Sequence, residues 1–121
     1  GVRCHVASIL GSWGHTSPTY FASPEDQTRA NAAMLALAAH HAPHVKAFVA
    51  VNPNFRQHAL DEIAHGLSRG AVGIKLAAAR RTTDFAVLDA VAEAAAAYDV
   101  PILQHIWQHR RRDWPNQDAS D

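Results

Sequence analysis

Four short apolar segments alternate with three helical segments along this chain, and this alternation limits its possible folds more than any other feature. The apolar segments are rich in Val, Ile, Leu and Ala, as is typical of parallel strands covered on both faces. They span residues 2–10, 45–51, 71–76 and 100–107. The segments between them repeat apolar residues at spacings of three and four, which indicates amphipathic helices. The sequence therefore predicts the order β-α-β-α-β-α-β.

Residues that begin and end helices stand at the expected positions. Ser23 can cap a first helix, and Pro24 suits its first turn, where the missing N–H would have no helical partner. Gly70 can adopt the left-handed backbone conformation that commonly ends a helix, here the second one, and Asp99 occupies the equivalent position after the third. Gly73, inside the third strand, indicates that a neighbouring group approaches closely there.

The connections between successive strands are long enough for helical crossovers. They take roughly 20–30 residues, which permits the usual right-handed connection between parallel strands. The length of 121 residues allows one domain, spanning residues 1–121. The sequence thus predicts an α/β fold with four parallel strands and three crossover helices. Periodicity alone leaves open whether the strands form an open sheet or an arc of a barrel.

Composition and charge exclude several classes of function. Eleven Lys and Arg balance eleven Asp and Glu, so the chain lacks the basic surplus of a general phosphate-backbone binder, and we expect no nucleic-acid partner. We see neither an apolar run of the ~18 residues that span a bilayer nor a signal peptide, and we expect no membrane partner. The single cysteine, Cys4, fits a reducing compartment, which favours a cytoplasmic protein.

Candidate site residues are found where strands give way to loops, because the sites of parallel α/β folds lie at the carboxyl ends of the strands. They are Asn52, Lys75, Arg80, His105, Trp107 and His109. A lone His in an apolar strand is more often a hydrogen-bonded core residue than a ligand. The position of His105 at a carboxyl end favours a functional role.

Lys75 has several possible roles. Its amine could be an electrostatic clamp, a Schiff-base nucleophile or, when carboxylated, a bridging metal ligand. It could equally pack its stem against the apolar neighbours and extend its charged end to solvent or a carboxylate. The residues alone leave these alternatives open.

The remaining histidine patterns and short motifs are less informative. His40, His41 and His44 could share a surface metal ion, but they more simply close a helix at its negative end. His105 and His109 have the spacing of an HExxH zinc site without its Glu, in a segment predicted to pass from strand into loop, so a metalloprotease is excluded. Phosphate-binding, dinucleotide-binding, nucleophile-elbow and CxxC motifs are absent.

Three phrases, in order and at a consistent spacing, carry a family resemblance. They are VNPN at residues 51–54, RGAVGIKL at 69–76 and DFAVLDAVAEAAAAYDVPILQH at 84–105. Together they resemble the amidohydrolase-2 (amidohydrolase-related) branch of metal-dependent (β/α)8-barrel hydrolases and decarboxylases. The likeness covers nearly the whole chain, and GVRCHVASIL is similar to the second strand of that family.

The resemblance implies roles for particular residues. His105 matches the His that closes the fifth strand of the family and binds a divalent metal such as zinc. Lys75 matches a lysine that lines the catalytic site. From their positions at strand ends, we expect Asn52 and Trp107 to line the pocket for a small-molecule substrate, with Arg80 and His109 as further contacts. The chain departs from the pattern at Ala77, where the family usually has a His, and it contains no His-x-His pair.

A complete (β/α)8 barrel takes about 250 residues, so the chain supplies about half of one, strands 2 to 5. We therefore expect a fragment of a longer amidohydrolase, or a homo-oligomer in which two copies complete a barrel. The expected reaction is hydrolysis of a lactone, amide or ester. The alternatives are non-oxidative decarboxylation by the same type of site and, for the isolated chain, a non-catalytic α/β module, since one His cannot hold a catalytic zinc.

Overall fold

The predicted order of strands and helices is confirmed by the structure, a computed structural model that describes residues 1–11, 22–76 and 85–105. The strands are β1 (His5–Ala7), β2 (Val45–Val51), β3 (Gly73–Leu76) and β4 (Ile102–Gln104). The helices are α1 (Pro24–His40), α2 (Arg56–Ser68) and α3 (Phe85–Tyr98). None of the described helices is both long enough and apolar enough to cross a membrane.

The four strands form one parallel sheet in the order β1-β2-β3-β4. The sheet curls as a half-barrel with its crossover helices outside, consistent with part of a TIM barrel. The alternative that the sequence left open is thereby resolved in favour of the arc. In the register, Lys75 of β3 lies between Ala50 of β2 and Leu103 of β4.

Strand β1 is shorter than the predicted segment 2–10, and the reason lies on the edge of β2. Pairing between the two strands ends where Ala7 meets Ala47. Further along β2, the side chain of Asn31 bonds both peptide groups of Ala50: Oδ1 accepts from the N–H and Nδ2 donates to the carbonyl, each at 2.9 Å. A side chain of α1 thus satisfies the polar groups that a longer β1 would have paired.

The predicted helix ends are confirmed where the structure describes them. The hydroxyl of Ser23 accepts a hydrogen bond from the Asp26 N–H at 3.3 Å, and Pro24 begins α1. Gly70 and Asp99 both adopt left-handed backbone conformations, with φ of 98° and 52°. A short polar residue tolerates this region better than most, which accounts for Asp99 in place of a glycine.

The core lies between the sheet and the helices. Alternate residues of β2 and β3 face outward into this core, where they meet side chains from all three helices. The core is centred on Val49, Val51, Ile74, Leu76, Met34, Ile63 and Val91. Helix α2 approaches β2 closely because Gly66 has no side chain; a Cβ there would overlap a methyl group of Val49.

The opposite, inner face of the sheet carries the residues between these core positions. On this face the ring of Phe48 covers Gly73, and a Cβ on Gly73 would lie 2.5 Å from the Phe48 Cζ atom. The close approach predicted at Gly73 is therefore confirmed, and the approaching group is an aromatic side chain. Lys75 follows two residues later on the same face.

Candidate functional site

Lys75 and His105 come together at the carboxyl ends of β3 and β4, on the inner face of the half-barrel. Leu103 pairs with Lys75 across the two strands, and His105 follows Leu103 by two residues, which returns it to the same face. The backbone N–H of His105 donates to the Leu76 carbonyl at 2.9 Å, so the pairing of the strands extends up to the histidine. The sheet register therefore holds both residues at one edge.

The environment of Lys75 disfavours its charged form. The residue is 8% exposed, and its amine has neither a hydrogen-bond nor an ion-pair partner among the described residues. Burial lowers the pKa of the Lys75 amine below its usual value because the ammonium ion loses hydration. The interpretation in which the amine meets a neighbouring carboxylate therefore finds no such carboxylate in the described part of the chain.

His105 is also shifted toward its neutral form. Burial lowers the pKa of its imidazole, and the positive charge of Lys75 lowers that pKa further. A neutral imidazole is the form that binds metal ions or accepts a proton. The two groups are thus electrostatically coupled, which is the chemical property expected of residues that share a site.

Asn52 lies at the end of β2, with both of its side-chain polar atoms engaged. Its Nδ2 donates to the Ala22 carbonyl at 3.1 Å, while Oδ1 accepts from the N–H of Asn54 at 3.1 Å and from the Asn54 amide at 2.9 Å. These bonds shape the turn after β2 and tie it to the start of α1. The side chain, only 5% exposed, serves the loop that borders the site.

Three of the residues expected at the site, Arg80, Trp107 and His109, lie outside the described residues, as does Ala77. The described site therefore consists of Lys75 and His105, with Asn52 at the neighbouring strand end.

The described residues do not by themselves form a metal centre. Residues 1–11, 22–76 and 85–105 contain no group of three or more His, Cys, Asp or Glu side chains that could hold an ion. His105 would supply one ligand, whereas a catalytic zinc normally takes three from protein. The other histidines considered from the sequence lie at the end of α1. The ring centroids of His40 and His41 are 4.7 Å apart, with the rings edge to face, and His40 lies in the last turn of the helix, where positive charge is favourable.

A buried polar chain between α1 and α2 was not foreseen from the sequence. Asn31 donates from Nδ2 to Glu62 Oε2 at 2.7 Å, and the Thr28 hydroxyl donates to Glu62 Oε1 at 2.8 Å. The same hydroxyl lies 2.9 Å from His58 Nε2. The available signal was a polar residue at a buried helical position, three before Met34, but the partner of Asn31 lies on another helix and could not be read from spacing.

The directions of these hydrogen bonds follow from two groups, the Ala50 N–H, which donates, and the Glu62 carboxylate, which accepts. The Ala50 N–H can only donate, so Asn31 must present its oxygen there and its NH2 to Glu62. The one hydrogen of the Thr28 hydroxyl goes to Glu62, so His58 Nε2 must carry a proton and donate to Thr28. His58 Nδ1 is the buried polar side-chain atom without a hydrogen-bond partner among the described residues.

Two surface cavities lie away from Lys75 and His105. One, of about 430 Å³, lies between the starts of α1 and α2 and is lined by Pro24, Glu25, Thr28, Arg29 and His58. The other, of about 250 Å³, lies near the end of α1 and the loop before β3.

A scan against protein-family models and a search of the curated proteins both find no match for this chain. The amidohydrolase resemblance therefore depends on the sequence phrases together with the half-barrel fold.

Proposed function

We propose that this chain is part of a metal-dependent hydrolase of the amidohydrolase-related type, acting on a lactone, amide or ester bond of a small molecule. The observation that carries the proposal is that Lys75 and His105 lie close enough to interact electrostatically on the inner face, at the carboxyl ends of β3 and β4. This is the end of a parallel α/β barrel at which catalytic residues lie. The order of the phrases VNPN, GIKL and PILQH supports the same assignment.

The proposed role of His105 is that of one metal ligand. Its neutral imidazole is the ligating form, and the burial and positive neighbour that lower its pKa keep it so at neutral pH. The remaining ligands would come from outside the described residues. In such a hydrolase a divalent ion, with zinc as the expected metal, activates water for attack on the substrate.

The proposed role of Lys75 is to bind the substrate. Because no described carboxylate pairs with its amine, the amine is available to an acceptor group of the substrate, a carbonyl or carboxylate oxygen. Asn52 keeps the loop after β2 in place beside it. Trp107, Arg80 and His109 complete the proposed set of substrate contacts.

The test measures zinc content and hydrolysis in the protein as it occurs naturally, including any residues that flank this chain. His105→Ala should lose the bound metal and the activity, whereas His41→Ala, at an exposed position of the helix end, should retain both. Lys75→Met should retain the metal and raise KM. Equal metal content in the His105→Ala variant and the wild type would remove the ligand role.

Two other outcomes distinguish the alternative functions. Release of carbon dioxide from a carboxylate substrate, with no hydrolysis of lactones, amides or esters, would assign the protein as a non-oxidative decarboxylase with the same residues. The non-catalytic alternative is favoured for the 121-residue chain alone by its single described ligand. Metal-dependent turnover by that isolated chain would refute it.

A further inference from the structure

The amine of Lys75 has no polar partner among the described residues, so it takes its position from the strands on either side. The neighbours of Lys75 in the register are Ala50 of β2 and Leu103 of β4. Ala50 is fully buried, at 0% exposed, whereas Leu103 is 53% exposed. The position of β2 at Ala50 is therefore the firmer of the two constraints on Lys75.

Helix α1, and not β1, holds the edge of β2 at Ala50. Pairing between β1 and β2 ends at Ala7 and Ala47. The N–H and the carbonyl of Ala50 both bond the side-chain amide of Asn31, each at 2.9 Å. One side chain thus takes the place of a neighbouring strand at the residue opposite Lys75.

The amide of Asn31 is itself held in one orientation. Its oxygen accepts from the Ala50 N–H, and its Nδ2 donates to Glu62 Oε2 at 2.7 Å. Burying an amide and a carboxylate in a core costs free energy that an apolar pair would not cost. Proteins depart from an apolar core in this way at functional sites, and here the buried amide bonds the sheet at the residue that neighbours Lys75.

We infer that Asn31 is a positioning residue for Lys75: by bonding both peptide groups of Ala50 it holds β2, and with it the Lys75 amine, in the place from which the amine meets the substrate. Asn31 lies on α1, in the outer layer, and acts through the strand. The effect on substrate binding rests on the proposed function, whereas the effect on the position of Lys75 does not.

The test uses the protein as it occurs naturally and removes the bond to the Ala50 carbonyl in two ways. Asn31→Asp loses both donated bonds. When Asn31→Asp is combined with Glu62→Gln, the new amide at position 62 donates to the new carboxylate, and only the Ala50 carbonyl lacks its partner. This double variant separates the loss of one bond from the loss of the fold. Glu62→Gln alone keeps every bond of Asn31 and is the matched control.

The first readout is the NMR signal of the Lys75 side chain in protein labelled at lysine, identified by its absence from Lys75→Met. We expect this signal to shift in both variants that carry Asn31→Asp and to remain in place in Glu62→Gln. The signal of Lys46, at the other end of β2, should not shift in any of them. Ile63→Val, which weakens the core without removing a hydrogen bond, should also leave the Lys75 signal in place.

The second readout is KM for hydrolysis. A displaced amine should raise KM roughly tenfold in the double variant, with kcat and metal content unchanged, since a misplacement of about 1 Å can cost up to about a hundredfold. A wild-type protein without hydrolysis would contradict the proposed function alone, and the NMR signal would still decide the position of Lys75. A Lys75 signal that is unchanged in the folded double variant, or a KM that remains at the wild-type value, would overturn the inference.

Discussion

Replacing Asn31 with Asp tests the directed hydrogen-bond chain at its centre. Asn31 is 3% exposed and forms three hydrogen bonds: one accepted from the Ala50 N–H at 2.9 Å, and two donated, to the Ala50 carbonyl at 2.9 Å and to Glu62 Oε2 at 2.7 Å. Aspartate has the same shape and retains the accepted bond. It loses both donated bonds and places a second carboxylate against Glu62.

The expected loss of stability follows from the two acceptors left unpaired. A buried acceptor without its donor costs about 1–3 kcal/mol, so the two together predict a loss of about 4 kcal/mol in the free energy of unfolding. Total stabilities of domains are about 5–15 kcal/mol, so the variant should be close to unfolding at room temperature. When the pH falls below the pKa of the new carboxyl, its O–H can restore one donated hydrogen bond. The loss in the free energy of unfolding should then decrease.

The measurement is urea unfolding followed by circular dichroism at neutral and acidic pH. Gln57→Glu is the control for an exposed position, because it exchanges an amide for an acid at a residue whose amide, among the described residues, donates to Asp61. We expect it to change stability by about 0.5 kcal/mol or less. If the free energy of unfolding of Asn31→Asp lies within that margin of the wild-type value, the buried hydrogen bonds of Asn31 do not stabilise the fold, and the expectation is refuted.

Three further predictions concern other parts of the structure. In Glu62→Gln, the new NH2 should donate to the Thr28 hydroxyl, because Asn31 already donates to the other side-chain atom. The Thr28 hydroxyl should then donate to His58 Nε2, which moves the His58 proton from Nε2 to Nδ1. ¹⁵N NMR of the imidazole would show this change, and an unchanged tautomer would contradict the assignment. Gly66→Ala should destabilise the chain by about 1–3 kcal/mol because its methyl group overlaps Val49; thermal unfolding checks this, and an unchanged melting temperature would contradict it. The lowered pKa of Lys75 means that the unfolded chain binds more protons in the alkaline range, so stability should rise with pH from the folded pKa toward 10.5; Lys75→Met should abolish that rise in unfolding curves, and a variant that retains it would disprove the assignment.

The lengths of the edge strands show where sequence reasoning stops. The apolar run at 2–10 predicts a long first strand, yet only His5–Ala7 pair. Whether a residue extends a strand depends on whether a neighbour offers free backbone groups, and at Ala50 those groups are bonded to Asn31. Strand β2, between two neighbours, has the predicted bounds of 45 and 51.

The candidate site was likewise predicted only in part from the sequence. The positions of Lys75 and His105 at strand ends follow from the strand pattern, and the structure brings the two together. Asn52 was expected to line the substrate pocket; the structure places it at the end of β2 and adds that its polar atoms hold the loop there, which its position did not predict. Position along a strand predicts where a side chain lies and does not predict which groups it bonds.

Sequence by itself determined the order of strands and helices and the ends of the helices. These features depend on rules that act over a few residues: helix capping, the left-handed conformations at Gly70 and Asp99, and the helical repeat of 3.6 residues. Only the tertiary structure decided the curl of the sheet, the electrostatic coupling of Lys75 to His105 and the polar chain from Ala50 to His58. The polar network joins residues as much as 34 positions apart, and the sheet pairs His5 with Val45. The free energy of each such contact depends on burial and geometry that no local pattern records.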